Sequence, residues 1–328
     1  MELKNIAILG ARGNVGTALV TQLLKFPSPP SITAISRSTS TSPYTPPPGS
    51  NIALKTVDYT SLDSLKDAFA GHDAVVNCIT GGATQYEPSK LIIDAAVSAG
   101  VRFFFANEFV TNLASPQFRR LPESLAGAKA RIREYLEALG KEGKIVWTAL
   151  NGGPFFDMWL MKGPAGFDIK NKEARIYGTG EHPLYWTPLP TIGLAAANML
   201  RNPSAVTNRA VHICPFATGT LTQNTILAAL EGVLSTTFSI TNVDVAKINQ
   251  NARIALDRGE IAKAMRGLTI SNQFYEGDSG NNLEELTENE LVGVGNTSVK
   301  EAVRDAIQRY GEDCAIVDSM YRVDPCEV

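Results

Sequence analysis

Asn5-Ile6-Ala7-Ile8-Leu9-Gly10-Ala11-Arg12-Gly13-Asn14-Val15-Gly16 decides how the rest of the chain is read. Four apolar residues fit a buried strand, three glycines follow at fixed spacing, and a helical pattern starts at Val15. Each glycine has a separate physical task in such a turn. Gly10 permits the tight bend, Gly13 lets backbone approach a pyrophosphate, and Gly16 allows helix and strand to pack closely. The helix start at Asn14 and Val15 then presents free N–H groups and a partial positive charge to an anion. Arg12, within the loop, adds a formal charge.

Working outward, the alternation continues. Strand-like runs at 5–9, 32–36, 53–57, 74–79, 102–106 and 145–150 are separated by helical patterns at 15–25, 61–70, 88–99 and 124–139. The runs are continuously apolar, as strands covered on both faces should be. The expected fold is therefore α/β, a Rossmann-like doubly wound parallel sheet. Beyond Leu150 the pattern becomes irregular, with short β-type pieces at 174–177, 210–214 and 237–240 among helices near 190–201, 222–234, 243–258 and 298–310. A dinucleotide-binding domain over 1–152 and a smaller α+β substrate lobe over 153–328 follow, with some segments of the latter free to return to the first sheet. Ser38–Asn51, rich in Ser, Thr and Pro, reads as a mobile loop.

The second strand ends in Ser36-Arg37-Ser38, where an NAD-binding chain would carry Asp or Glu for the ribose hydroxyl. An arginine suits a 2′-phosphate through charge-assisted hydrogen bonds worth about 1.5–3 kcal/mol. The expected cofactor is thus NADPH/NADP+, with Arg37 as the selector.

Composition sets the outer limits. A net charge of −3 gives no bulk attraction for nucleic acid or anionic membrane. No apolar run reaches the ~18 residues of a membrane span. The N-terminus lacks a signal-peptide pattern, and the four cysteines form no Cys-x-x-Cys pair, which together set a cytoplasmic expectation. Three scattered histidines argue against a metal. No Gly-x-Ser-x-Gly elbow supports hydrolysis. Tyr86 and Lys90 match a Tyr-x-x-x-Lys spacing, but after the fourth strand and with Pro88 between them, so the match is read as coincidence while Tyr86 stays a candidate substrate contact.

Lys129 falls beside an apolar stripe of Leu125, Ala128, Ile132, Leu136 and Leu139, where a lysine wants an oxygen partner. Glu108 closes the fifth strand, the sheet edge at which catalytic groups gather. It reads either as an acid–base group or as a structural cap. Phe155, Phe156, Trp159 and Trp186 concentrate aromatic surface past the sixth strand, enough for a pocket that takes an aromatic molecule.

The glycine pattern, Val101–Phe109 (VRFFFANEF), Lys129, Asn151–Asp157 (NGGPFFD), Ala174–Gly180 (ARIYGTG) and Leu221–Asn224 (LTQN) together resemble the NmrA-like/isoflavone-reductase-like family of atypical short-chain dehydrogenases, fungal members in particular. The resemblance covers roughly residues 4–234. It implies NADPH binding and, in many members, reduction of aromatic or benzylic substrates with an active-site lysine. Carried over, it places Thr80, Gly81 and Gly82 along the cofactor and Asn107, Glu108 and Phe109 beside the nicotinamide. It matches Lys129 to the family lysine and closes the nicotinamide end with Pro154 and Phe155. Family reductases usually carry Lys-Arg-Phe and then Pro-Ser-Glu-Phe-Gly here, whereas this chain has Val101, Ala106-Asn107 and Val110.

The leading expectation is an NADPH-dependent reductase of an aromatic or alkaloid-like molecule in fungal secondary metabolism. The small molecule is the expected partner, bound by a monomer or homodimer with Lys129 and Glu108 as catalytic groups and Tyr86, Phe109, Phe156, Trp159 and Trp186 against the substrate. Two alternatives stand beside it: a non-redox rearrangement or cyclisation using Glu108, and a dinucleotide-sensing regulator.

Overall fold

The computed structural model describes residues 1–42, 44–80, 84–122 and 127–325. Seven parallel strands run in the order β3-β2-β1-β4-β5-β6-β9. They are β1 (Asn5–Leu9), β2 (Ser31–Arg37), β3 (Ile52–Val57), β4 (Ala74–Asn77), β5 (Phe103–Ala106), β6 (Val146–Asn151) and β9 (Arg209–His212). The order reverses between β1 and β4, which opens a crevice at the strands' C-terminal ends.

Alternation along each strand divides the core in two. Ile6 and Ile8 of β1 pack with α1 (Asn14–Leu23) and α7 (Leu189–Arg201), while Ala7 and Leu9 face α2 (Leu62–Phe69), α3 (Tyr86–Ser98) and α5 (Ala128–Lys141). Both faces of the inner strands are covered, so these are largely apolar, whereas β3 at the edge exposes residues 53–56. A short α4 (Pro116–Arg119) is capped by Ser115.

The smaller lobe has its own core around a three-stranded sheet in the order β10-β8-β7. It comprises α6 (Phe156–Lys162), β7 (Phe167–Asp168), β8 (Glu173–Tyr177), α8 (Gln223–Leu234), β10 (Ser239–Val243), α9 (Val245–Asp257), α10 (Ile261–Phe274), α11 (Val299–Tyr310) and α12 (Asp318–Tyr321). Thr222 and Ser298 start α8 and α11 with reciprocal capping boxes. The tail packs on this lobe, with Tyr321 and Val323 buried and Asp324 paired to Arg175.

Two segments assigned to the lobe from sequence belong to the first sheet. β9 pairs with β6 from Thr148↔Arg209 to Asn151↔His212, and α7 lies on α1. Gly193 explains the second contact, because a Cβ there would stand 2.6 Å from the Ala18 carbonyl carbon. Ser38–Asn51 also differs from its reading as a loose loop. Tyr44 is buried in the core beneath β2 and pins the segment.

Candidate active site

Two cavities open along the C-terminal edge of the parallel sheet. The first, of about 230 Å³, is bounded by the glycine turn, the end of β2 and the segment after β4. The turn is built as its sequence requires. Gly10 has φ +77°, and a Cβ on Gly16 would lie 2.3 Å from the Gly10 carbonyl oxygen. Only glycine at both positions lets α1 start against β1. Gly13 caps α1 without any side-chain hydrogen bond, which leaves the first-turn N–H groups available to a ligand.

Arg12 and Arg37 both line this cavity, and among the described residues no carboxylate does. Gly10, Gly13 and Thr80 line it too, as the sequence reading expects. Asn14 and Val15 begin the helix behind it. Gly81 and Gly82 lie outside the described residues. Sequence reasoning missed Ser36, Ser40, Ser42 and Tyr59, which complete the lining. Tyr59 donates to the Ile35 carbonyl at 3.1 Å, and burial drives its phenol far above the usual value despite the nearby Arg37 charge. Ser36 ends β2, while Ser40 and Ser42 come from the segment that carries the buried Tyr44.

The second cavity, of about 250 Å³, is mainly apolar and lies between the first sheet and α10. Phe109, Phe118, Leu121, Trp159, Met265 and Leu268 form its walls. Phe109 is held at φ +44°, uncommon for a bulky residue, and stacks on Phe105 with ring centroids 6.0 Å apart. Trp159 packs edge-on against Trp186 at 5.1 Å. Pro154, expected at the cofactor, lines this cavity instead.

Other expected contacts fall elsewhere. Phe156 and Trp186 are fully buried in the lobe core, Phe156 against Phe216 and Trp186 against Trp159 and Phe274. They shape the cavity from behind. Phe155 bridges to Thr187 at the start of α6. Tyr86 lies under the Arg131 guanidinium, 3.8 Å away, and lines neither cavity. The Asn107 side chain is spent on the Ile79 carbonyl, tying the ends of β4 and β5 together.

Between the cavities, α5 clamps the end of β5 at two points. Lys129 donates from Nζ to the backbone carbonyl of Glu108, and Arg133, one turn further on, pairs with the Glu108 carboxylate. Asn151 completes this knot. Its Nδ2 donates to Glu108 Oε2 at 2.7 Å, and its Oδ1 accepts from Val110 N at 3.0 Å. Glu108 is 1% exposed, with both oxygens taken. The acid–base reading of Glu108 therefore meets a physical obstacle, since its carboxylate faces cations and amides and not a cavity. Its backbone, through Phe109 and Val110, shapes the apolar wall. Arg133 was missed from sequence, although Lys129 and Arg133 at i and i+4 share a helix face.

Desolvation lowers the Lys129 ammonium to about 8, against an opposing pull from the Glu108 charge. An amine at that value exchanges protons near neutrality. The Glu108 carbonyl uses one of its three donors. Among the described residues, no group of three or more His, Cys, Asp or Glu side chains could hold a metal, and no helix is long and apolar enough to cross a membrane.

Comparison with known proteins adds a second line of evidence. The model of the NmrA-like family matches residues 2–292. Oxidoreductase aprR of Aspergillus flavus is 29% identical over 92% of this chain and 98% of its own length. A solved isoflavone reductase superposes with a TM-score of 0.69 at 22% identity, covering 93% of this chain and 99% of that one. A structure described as AtPrR2 with NADP+ and (+)pinoresinol gives 0.68 at 17% identity, over 93% and 99%.

Proposed function

The chain belongs to the NmrA-like family, and from that premise we propose that it is an NADPH-dependent reductase of a small aromatic or alkaloid-like molecule, in the secondary metabolism of a fungus. One observation carries the reading: an arginine-lined cavity at a glycine turn and an apolar cavity share one sheet edge, and Lys129 reaches the Glu108 carbonyl, next to Phe109 of the apolar wall. The name of the Aspergillus flavus relative and the bound NADP+ of the AtPrR2 structure support it.

The residues present fit the dinucleotide. The helix start and the Gly10–Gly13 turn would hold its pyrophosphate, and Arg37 with Arg12 would hold a 2′-phosphate. Bound NADPH supplies a hydride. The chain's own residues do the rest. Phe109, Phe118 and Trp159 hold an aromatic ring by area and by shape. Lys129 holds a proton at Nζ and gives it to the oxygen or carbon that needs one as charge develops. Arg133 and Asn151 keep the 108–110 backbone in place while this happens. The α10 wall keeps water out of the ring site.

A rearrangement run by Glu108 would need a free carboxyl, and the Arg133 pairing does not offer it. A purely sensing role leaves the apolar cavity without a purpose. The test is single-turnover absorbance at 340 nm of the NADPH-loaded protein with aromatic ketones and enones, products being weighed by mass spectrometry. The reading expects loss of absorbance with a product two mass units heavier. Product of unchanged mass, at unchanged absorbance, would overturn it.

A further inference from the structure

The apolar cavity contains two polar groups that the reduction above does not use. Gln273, near the end of α10, is 4% exposed and lines the cavity. The indole N–H of Trp186 meets one terminal atom of its amide at 2.9 Å. An indole N–H can only donate, so that atom is the amide oxygen and the NH2 group points the other way. Asn281 Nδ2 approaches the same oxygen at 3.5 Å and holds the Gln273 backbone carbonyl at 3.1 Å. The NH2 group is left without an acceptor among the described residues, and it is not sealed from solvent.

Thr111 repeats the pattern from the opposite wall. It is 4% exposed and lines the same cavity, and its hydroxyl has no partner among the described residues and is not sealed off. A buried donor without a partner is unfavourable unless a ligand or water completes it. Among the described residues that line the cavity there is no carboxylate, lysine or arginine.

We propose that Gln273 and Thr111 form a specificity element that selects aromatic molecules bearing a neutral carbonyl oxygen over oxygen-free rings of the same shape. The Gln273 amide donates to the carbonyl from a direction set by Trp186, and the Thr111 hydroxyl adds a second donor. This inference rests on reading the cavity as the substrate site. Its test therefore measures binding and not turnover.

Full-length protein is titrated with 2-acetylnaphthalene and with 2-ethylnaphthalene, followed by calorimetry. The wild-type chain is expected to bind the ketone about five- to tenfold more tightly, the effect of one to two net hydrogen bonds. Gln273→Met and Thr111→Val should each cut that preference to about twofold, with 2-ethylnaphthalene binding little changed. Gln273→Glu at pH 8 keeps an acceptor for Trp186 while removing the donor, and should also lose the preference if Gln273→Met proves unstable. Equal wild-type affinity for the two probes, no binding of either, or an undiminished preference in the variants would overturn the proposal. A ketone bound with the expected preference but never reduced would count against the reductase reading alone.

Discussion

Arg133 and Glu108 form a two-pronged ion pair under the end of β5, with Nε 2.6 Å from Oε1 and Nη2 donating to Oε2. The pair is built into the sheet's inner edge, since Glu108 is 1% exposed. Removing the cation alone strands a buried charge, which typically costs about 3–5 kcal/mol. Arg133→Met should therefore destabilise the protein by about that amount in urea unfolding, while Glu108→Gln with Arg133→Met together should cost less than Arg133→Met alone. A loss under about 1 kcal/mol for Arg133→Met would show that the pair does not hold the loop.

Lys129 should govern the pH dependence of turnover. A lysine whose value is lowered to about 8 carries its proton below that pH and loses it above. As proton donor it sustains a rate that is full at pH 6–7 and falls as pH rises through about 8. Lys129→Met should lower kcat about a hundredfold or more and abolish that limb. A profile in Lys129→Met that still falls near 8 would assign the proton elsewhere.

Arg37 should set cofactor preference. Arg37→Ala loses charge-assisted bonds worth about 1.5–3 kcal/mol, so NADPH affinity should fall about ten- to hundredfold. NADH affinity should stay within about threefold. Equal losses for both dinucleotides would mean that Arg37 touches the shared pyrophosphate and not the 2′-phosphate.

Tyr44 should matter to the same cavity from a distance. It anchors the segment that brings Ser40 and Ser42 to the cofactor side. Tyr44→Ala should weaken NADPH binding several-fold with Arg37 intact, and expose residues 38–51 to limited subtilisin cleavage. Unchanged cleavage would show the segment is held by other contacts.

Asp278 ties the two walls of the apolar cavity through Arg120, next to Phe118 and Leu121, and through Asn249 at 2.9 Å. Burial pushes its carboxyl up, but the bonds from Arg120 and Asn249 outweigh that and hold it below the usual value. The folded state thus favours the ionised form. Its stabilisation is full above the ordinary aspartate value of about 3.9 and is lost as pH falls through the lower folded value. Asp278→Asn should narrow the difference in melting temperature between pH 5 and pH 3. An unaltered difference would place the acid sensitivity in other carboxylates.

The sheet was legible because β1, β2, β4, β5 and β6 are largely buried apolar runs, and the glycine turn because its glycines are sterically forced. β9 was read only as a short β-type piece free to join either sheet, because an edge strand of four residues has no pattern that tells which sheet will take it. α10 was not read at all, though Ile261, Ala264, Met265 and Leu268 follow helical spacing. Its omission hid Gln273 and a whole wall of the apolar cavity. Glu108 was found by position, but its engagement depends on Arg133 and Asn151, which are distant in sequence and adjacent only after folding. Phe156 and Trp186 were misjudged for a similar reason, because an aromatic cluster does not reveal which rings face inward.

The return of β9 and α7 to the first sheet makes α6, β7 and β8 an interruption of the Rossmann unit, while the rest of the small lobe follows it. A chain stopped at residue 152 would end on β6 with a row of unpaired amides and would strip α7 from the apolar side of α1. Such a fragment carries an open hydrophobic sheet edge, the usual template for intermolecular pairing. During synthesis the nucleotide-binding half must therefore wait, with that edge exposed, for more than fifty further residues to emerge before it can close.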